Sequence, residues 1–277
     1  MKSISKLTIM AAICAISLFA ACSKKDKDSD TNSLSTDKDN VQLITSSDQI
    51  STDMEQAFDD GYNNAENGMA TTDGLVLGPC VTVTLTQNGN MKTLTIDYGA
   101  TGCVCSDGKT RKGKLIATAT NFNQVNVIRT LSTDNYYVND YHIDGNITRN
   151  ITHVAADSSR TVELVEHLTI TNPGGNDVYT RNGNQTRIQF VGIPNHPIDN
   201  TLTIWGQVNV QRPSGLQISR TVDQTTPLLY KNACHQIVSG ISHIVRNNHN
   251  ITVDFGDGTC DGTATVNNGT NTWTINL

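Results

Sequence analysis

The chain has 277 residues, of which 36% are hydrophobic, 5% aromatic and 17% charged, and a net charge of −6. That length holds one large β domain or two modest ones, and the composition excludes a multi-span membrane protein, a coiled coil and a collagen-like chain. An excess of Thr (37) and Asn (29) favours strands and turns, and net acidity without a basic stripe argues against nucleic acid as a partner.

Residues 1–21 read as a secretory leader. Lys2 and Lys6 give a positive start, and Leu7 to Ala21 is an apolar run too short to span a bilayer. Cys22, placed directly after Ala20-Ala21, resembles the acylated cysteine of a bacterial lipobox, with Phe19 standing where a small aliphatic residue is usual. Loss of the leader removes two lysines and no acid, which takes the net charge from −6 to −8. Residues 22–46 are rich in Ser, Thr, Asp and Lys, and too polar to repay their ordering entropy, so they are expected to form a disordered tether.

The folded part is expected over residues 47–277 as a single β-rich domain. It opens with one short helix over about 48–60, where Ser47 or Asp48 caps, Ile50, Met54, Ala57 and Phe58 form a stripe, and Gly61 stops it. Beyond Leu75 the pattern is β. Val81, Val83 and Leu85 alternate with threonines, as do Leu94 and Ile96, and Asn88-Gly89 between them suits a tight hairpin. Arg181-Asn182-Gly183-Asn184, Arg212-Pro213-Ser214-Gly215 and Asn267-Asn268-Gly269 read as further turns. About a dozen antiparallel strands, apolar on one face and Thr/Asn on the other, predict a β-sandwich or a curved, partly open barrel.

A faint repeat links the two ends of the β region. Cys80 leads to Asp97-Tyr98-Gly99 and Cys103; Cys234 leads to Asp254-Phe255-Gly256 and Cys260, and in both the cysteine follows the Asp by six residues. In an oxidising compartment the repeat selects the disulfides Cys80–Cys103 and Cys234–Cys260. Each closes a loop of about 25 residues, contributing on the order of 3 kcal/mol. Cys105 is left over: it competes for Cys80, stays free and buried, or pairs between chains.

Asp254, Asp257 and Asp261, interleaved with glycines, are candidate calcium ligands, although a tight turn uses the same residues. No other cofactor is suggested. Residues 107–114 place Lys109, Arg111, Lys112 and Lys114 around a turn, as for an anionic sugar or lipid headgroup, or as a solvated hairpin tip guarding an edge. The seven histidines match no common zinc spacing, and Glu163 and Glu166 fall on opposite faces of one strand. Recurrent Thr-x-Thr pairs are what the wet face of a sheet favours.

The lipobox and tether, Thr95-Ile96-Asp97-Tyr98-Gly99-Ala100-Thr101-Gly102-Cys103, residues 107–116, Asn135-Tyr136-Tyr137-Val138-Asn139 and the block from Val253 to Asp261 together resemble a group of uncharacterised Bacteroidota lipoproteins. The resemblance implies a β-rich fold anchored by Cys22 in the outer membrane, facing the periplasm or the surface, and it brings no activity. The expectation is therefore a non-catalytic binding or scaffold module with a protein or glycan partner. Two alternatives stand beside it: a carrier enclosing an apolar ligand, and a glycan-acting enzyme with carboxylates beside Trp205 or Trp273.

Overall fold

A computed structural model describes residues 33–68, 76–120, 126–154, 159–190 and 197–277. The residues expected as leader, Cys22 and the expected tether up to residue 32 lie outside these. One helix, α1 (Leu34–Asn67), precedes fifteen strands: β1 (Thr82–Asn88), β2 (Met91–Asp97), β3 (Cys103–Val104), β4 (Thr110–Thr120), β5 (Asn126–Val138), β6 (Tyr141–Val154), β7 (Ser159–Thr171), β8 (Val178–Phe190), β9 (Thr201–Gln211), β10 (Gln217–Val222), β11 (Leu228–Lys231), β12 (Gln236–Arg246), β13 (His249–Asp257), β14 (Thr263–Asn267) and β15 (Thr272–Asn276). They form one antiparallel sheet in near-sequential order, with β3 added beside β4 and β11 bridging β9 and β12. The chain is thus mainly β, and the sheet is curved and open rather than a sandwich of two.

The curvature follows from what α1 touches. Its side chains bond Arg111 on β4, Arg149 on β6, Arg181 and Arg187 on β8, Arg220 on β10, Tyr230 on β11 and the β14–β15 turn at Asn268. One helix reaches so many strands only if the sheet wraps round it. Curvature enters where the register shifts, at Lys112/Lys114, Ser132/Tyr136 and Ser239/Ile241. Gly113 and Gly240 sit at these bulges with φ of +79° and +102°, and a Cβ on either would strike the neighbouring backbone within about 2.1 Å.

The helix is longer than its apolar stripe predicts. It starts at the N-cap Ser33, whose hydroxyl accepts from the Thr36 N–H at 3.2 Å, and ends at Gly68 in the left-handed conformation. Residues 34–46, expected as tether, are its first turns, and Val41, Leu43 and Ile44 are buried there. Packing against the sheet offsets the ordering cost that composition alone suggested would prevail. Ser47 and Asp48 are not caps; Ser47 donates to the Ile44 carbonyl at 2.8 Å inside the helix. Gly61 does not stop it either. A Cβ there would meet Ile96 Cδ1 at 2.5 Å, so that glycine permits close packing on β2.

Three of the four expected turns are present, at Gly89, at 212–215 and at 268–271. The fourth is not: Arg181-Asn182-Gly183-Asn184 lies within the 13-residue strand β8. Gly183 serves close approach there, since a Cβ would lie 2.1 Å from Glu166 Oε1 on β7. The disulfides join the expected pairs, Cys80–Cys103 and Cys234–Cys260, with Cα separations of 5.7 and 5.9 Å, and Cys105 is free and buried. The repeat is also structural. Asp97 accepts from the Gly99 N–H and Asp254 from the Gly256 N–H, each at 2.9 Å, while Tyr98 and Phe255 enter the core.

Candidate functional site

The concave face holds the helix, through a core of buried apolar side chains from both and, beside it, a set of buried ion pairs. Along β8 the inward residues after Tyr179 are Arg181, Gly183, Gln185, Arg187 and Gln189, all buried. Arg181, Arg187 and Gln189, with Arg111, Arg149 and Arg220 from other strands, meet acids on α1. Asp53 accepts from Arg111 Nη2 at 2.5 Å and from Lys109 Nζ at 2.8 Å, and Arg111 also donates to Asp107 at 2.7 and 2.8 Å. Asp48 bridges Arg181 (2.8 Å) and Arg220 (2.6 Å), Glu55 lies 2.7 Å from Arg187, and Asp59 takes Arg149 and Arg160 at 3.2 and 3.1 Å. From the sheet side Glu166 binds Arg181 at 2.8 Å and accepts from Ser51 Oγ at 2.6 Å.

Burial disfavours each of these charges, and the partners decide the balance. For Asp48, Asp53 and Asp59 burial is the largest influence, yet the combined pull of the facing cations holds the carboxyls below the usual range. For Glu55 burial wins over Arg187 and Arg149, with Glu166 and Asp59 adding repulsion, and its carboxyl is raised. Arg129 contrasts with Arg111. It is 6% exposed, its Nε and Nη1 find no hydrogen-bond partner among the described residues, and the rings of Tyr62 and Phe58 lie 4.6 and 5.1 Å away. Burial first, and then Arg149, push it down to about 10.

Where α1 emerges from the sheet, the residues Asp39, Gln42, Ser46, Gln49, Asp53 and Gln56 follow one another at helical spacing and floor three adjoining recesses of about 230, 130 and 310 Å³. In the largest, the first disulfide module contributes Asp107 and Lys109, and the second contributes Tyr230, His235 and Gln236. Both walls are fixed. Cys80–Cys103 sits just before the turn in which the Cys105 N–H donates to the Lys109 carbonyl at 2.9 Å. Cys234–Cys260 and a 2.7 Å bond from Lys231 Nζ to the Gly258 carbonyl hold the 232–235 turn, where His235 adopts φ of +54°. Gln56 Nε2 donates to Tyr230 Oη at 3.0 Å, tying floor to wall.

The calcium expectation is corrected. Asp254, Asp257 and Asp261 do not converge; their Oδ1 atoms accept from the N–H groups of Gly256, Thr259 and Thr263 at 2.9–3.1 Å, and no metal-holding group of acids, histidines or cysteines occurs among the described residues. The basic run at 107–114 is not a solvated tip. Arg111 is fully buried on Asp53 and Asp107, and Lys114 pairs with Asp97 at 2.9 Å. Cys105 has its thiol pushed up by burial, which disfavours the reactive thiolate. Trp205 and Trp273 are half-buried against the core. The recess joins residues far apart along the chain and carries no signal in the sequence, whereas parity along β8, set by Tyr179, turns Arg181 and Arg187 toward the helix. Among the described residues no helix is long and apolar enough to cross a membrane.

Compared with known protein families, with curated proteins and with solved structures, the chain has no match in any of the three.

Proposed function

We propose that the chain is a lipid-anchored lipoprotein of the bacterial envelope, held through Cys22, and that it acts as a non-catalytic binding module. The observation that carries the binding reading is the 310 Å³ recess, walled by two disulfide-fixed turns and floored by a helix. Turns fixed before a ligand arrives lose little freedom on binding. The carrier alternative draws no support from the concave face, because α1 fills it. Nor does the recess favour catalysis. Asp53 is held in its ionised form by Arg111 and Lys109, the reverse of what a general acid needs.

Two measurements test this. Fractionation of cells expressing the full chain should place it with the membranes, and Cys22→Ala should release it; unchanged fractionation would end the anchoring claim. Native and denatured mass of the folded chain should differ by a bound species. A bare native mass, together with no response to any sugar, amine, acid or lipid probe, would end the binding claim.

A further inference from the structure

We infer that the large recess takes a neutral polyhydroxylated ligand, a sugar unit, rather than an ion or an apolar molecule. This rests on the binding reading above and specifies its ligand class.

The first argument is charge. The ionised side chains at the recess are Asp53 and Asp107, set against Lys109 and, directly behind them, Arg111. Two carboxylates and two cations cancel, and each is already bound to an opposite partner: Lys109 Nζ is 2.8 Å from Asp53 and 3.7 Å from Asp107. An anion would have to approach the carboxylates and a cation would have to approach Lys109, with no unspent counter-charge to repay its desolvation.

The second argument is hydrogen-bonding type. The uncharged polar groups lining the recess are the amides of Gln49, Gln56 and Gln236, the Tyr230 hydroxyl and the His235 imidazole. Burial holds His235 below its ordinary value, so near neutral pH the ring is uncharged. An amide, a phenol and a neutral imidazole each both donate and accept. The ligand group that matches such a surface is one that also does both, and a hydroxyl does. Gln56 is engaged with Tyr230 and Asn232 at 3.0 and 3.2 Å, which orients the Tyr230 ring. Gln49 is exposed and Gln236 half-exposed at the mouth, where they can turn to a ligand. At about 310 Å³ the recess is at the lower end of small-ligand pockets, which suits one or two sugar rings rather than a long chain.

The experiment is a titration of the full disulfide-intact chain, followed by saturation-transfer NMR, with free glucose, galactose and N-acetylglucosamine, against glucuronate and glucosamine as charged counterparts. At least one neutral sugar should bind more tightly than either charged one. Gln49→Leu and Gln236→Leu, both outside the ion pairs that hold α1, should each weaken it ~10-fold or more, the worth of one or two hydrogen bonds. Their thermal midpoints should stay near that of the parent chain. Tighter binding of glucuronate or glucosamine would overturn the assignment, as would neutral-sugar binding that both variants leave unchanged. If no sugar binds while the native mass shows another bound species, the ligand class is wrong and the binding module stands. If the native mass is bare and no amine, acid or lipid probe elicits a response either, both fall.

Discussion

At the scale of single residues, the protein's interior is distinguished by charge. A buried ion pair is weak evidence of stability as a pair, yet removing one partner leaves an uncompensated charge. Arg111, fully buried and bonded to both Asp53 and Asp107, is therefore expected to be costly to lose: Arg111→Met should lower the unfolding free energy by about 3–5 kcal/mol in denaturant titration. Arg129 makes the contrast. It has ring contacts but two nitrogens without a hydrogen-bond partner among the described residues, and burial destabilises its charged form. Arg129→Met should cost far less than Arg111→Met or should stabilise, and an equal loss would contradict this account of the interior. The acids set the pH response. Asp48, Asp53 and Asp59 have folded-state carboxyls below the ordinary 3.8, so their contribution is full above that value and is lost as pH falls through the folded-state values. Glu55, raised, acts in the opposite sense: its contribution is full below its ordinary 4.5 and lost as pH climbs through its folded-state value. With three groups against one, denaturant midpoints should drop steadily from about pH 5 toward pH 2. A flat profile there would show that these pairs carry no net stability.

At the scale of elements, the helix and the two disulfide modules depend on one another. The Asp-aromatic-Gly…Cys blocks were legible because their local chemistry is self-contained: an Asx turn, a buried ring and a cysteine at fixed spacing. The helix was half legible. Ile50, Met54, Ala57 and Phe58 mark its middle, but its first turns are polar and its Gly61 resembles a stop. Only β2 packed against it explains why Gly61 sits inside the helix. Gly61→Ala should cost about 1–3 kcal/mol by overpacking against Ile96, where propensity alone would predict a gain. A stabilised Gly61→Ala variant would show that β2 yields easily. The disulfides are separable by their effect on the recess. Replacing Cys234 and Cys260 by Ser should cost on the order of 3 kcal/mol and also weaken ligand binding, because the turn bearing His235 is released.

At the scale of the whole molecule, the described residues form a single sheet of fifteen strands with no second sheet among them to cover its concave face, and α1 performs that covering. A chain lacking residues 33–68 would leave Arg111, Arg181, Arg187 and Arg220 facing an empty concavity. Such a chain is expected to aggregate on expression, and co-expression of residues 33–68 as a separate segment should restore soluble protein. A soluble, cooperatively unfolding sheet without the helix would refute the covering role. The recess belongs to this scale as well. It exists only because the helix brings its polar stripe between turns that are about 125 residues apart in sequence, at Lys109 and at His235.

What the sequence determined by itself was whatever rests on neighbours along the chain. Period-two alternation marked the strands, Asn-Gly and Pro-Ser-Gly marked hairpins, and the repeated cysteine spacing marked both disulfides. Even there, Asn182-Gly183 shows the limit: the dipeptide allows a turn, but a neighbouring Glu166 that tolerates no Cβ made it the middle of a strand. The tertiary structure alone decided which polar residues are interior. A carboxylate on a helix and a guanidinium on a strand look solvent-facing until each is the other's partner, because burying either alone is prohibitive and burying the pair is not. That cooperativity is invisible along the chain. It turned the polar turns of α1 into core, the basic run at 107–114 into an ion-paired wall, and the space between two distant turns into a recess.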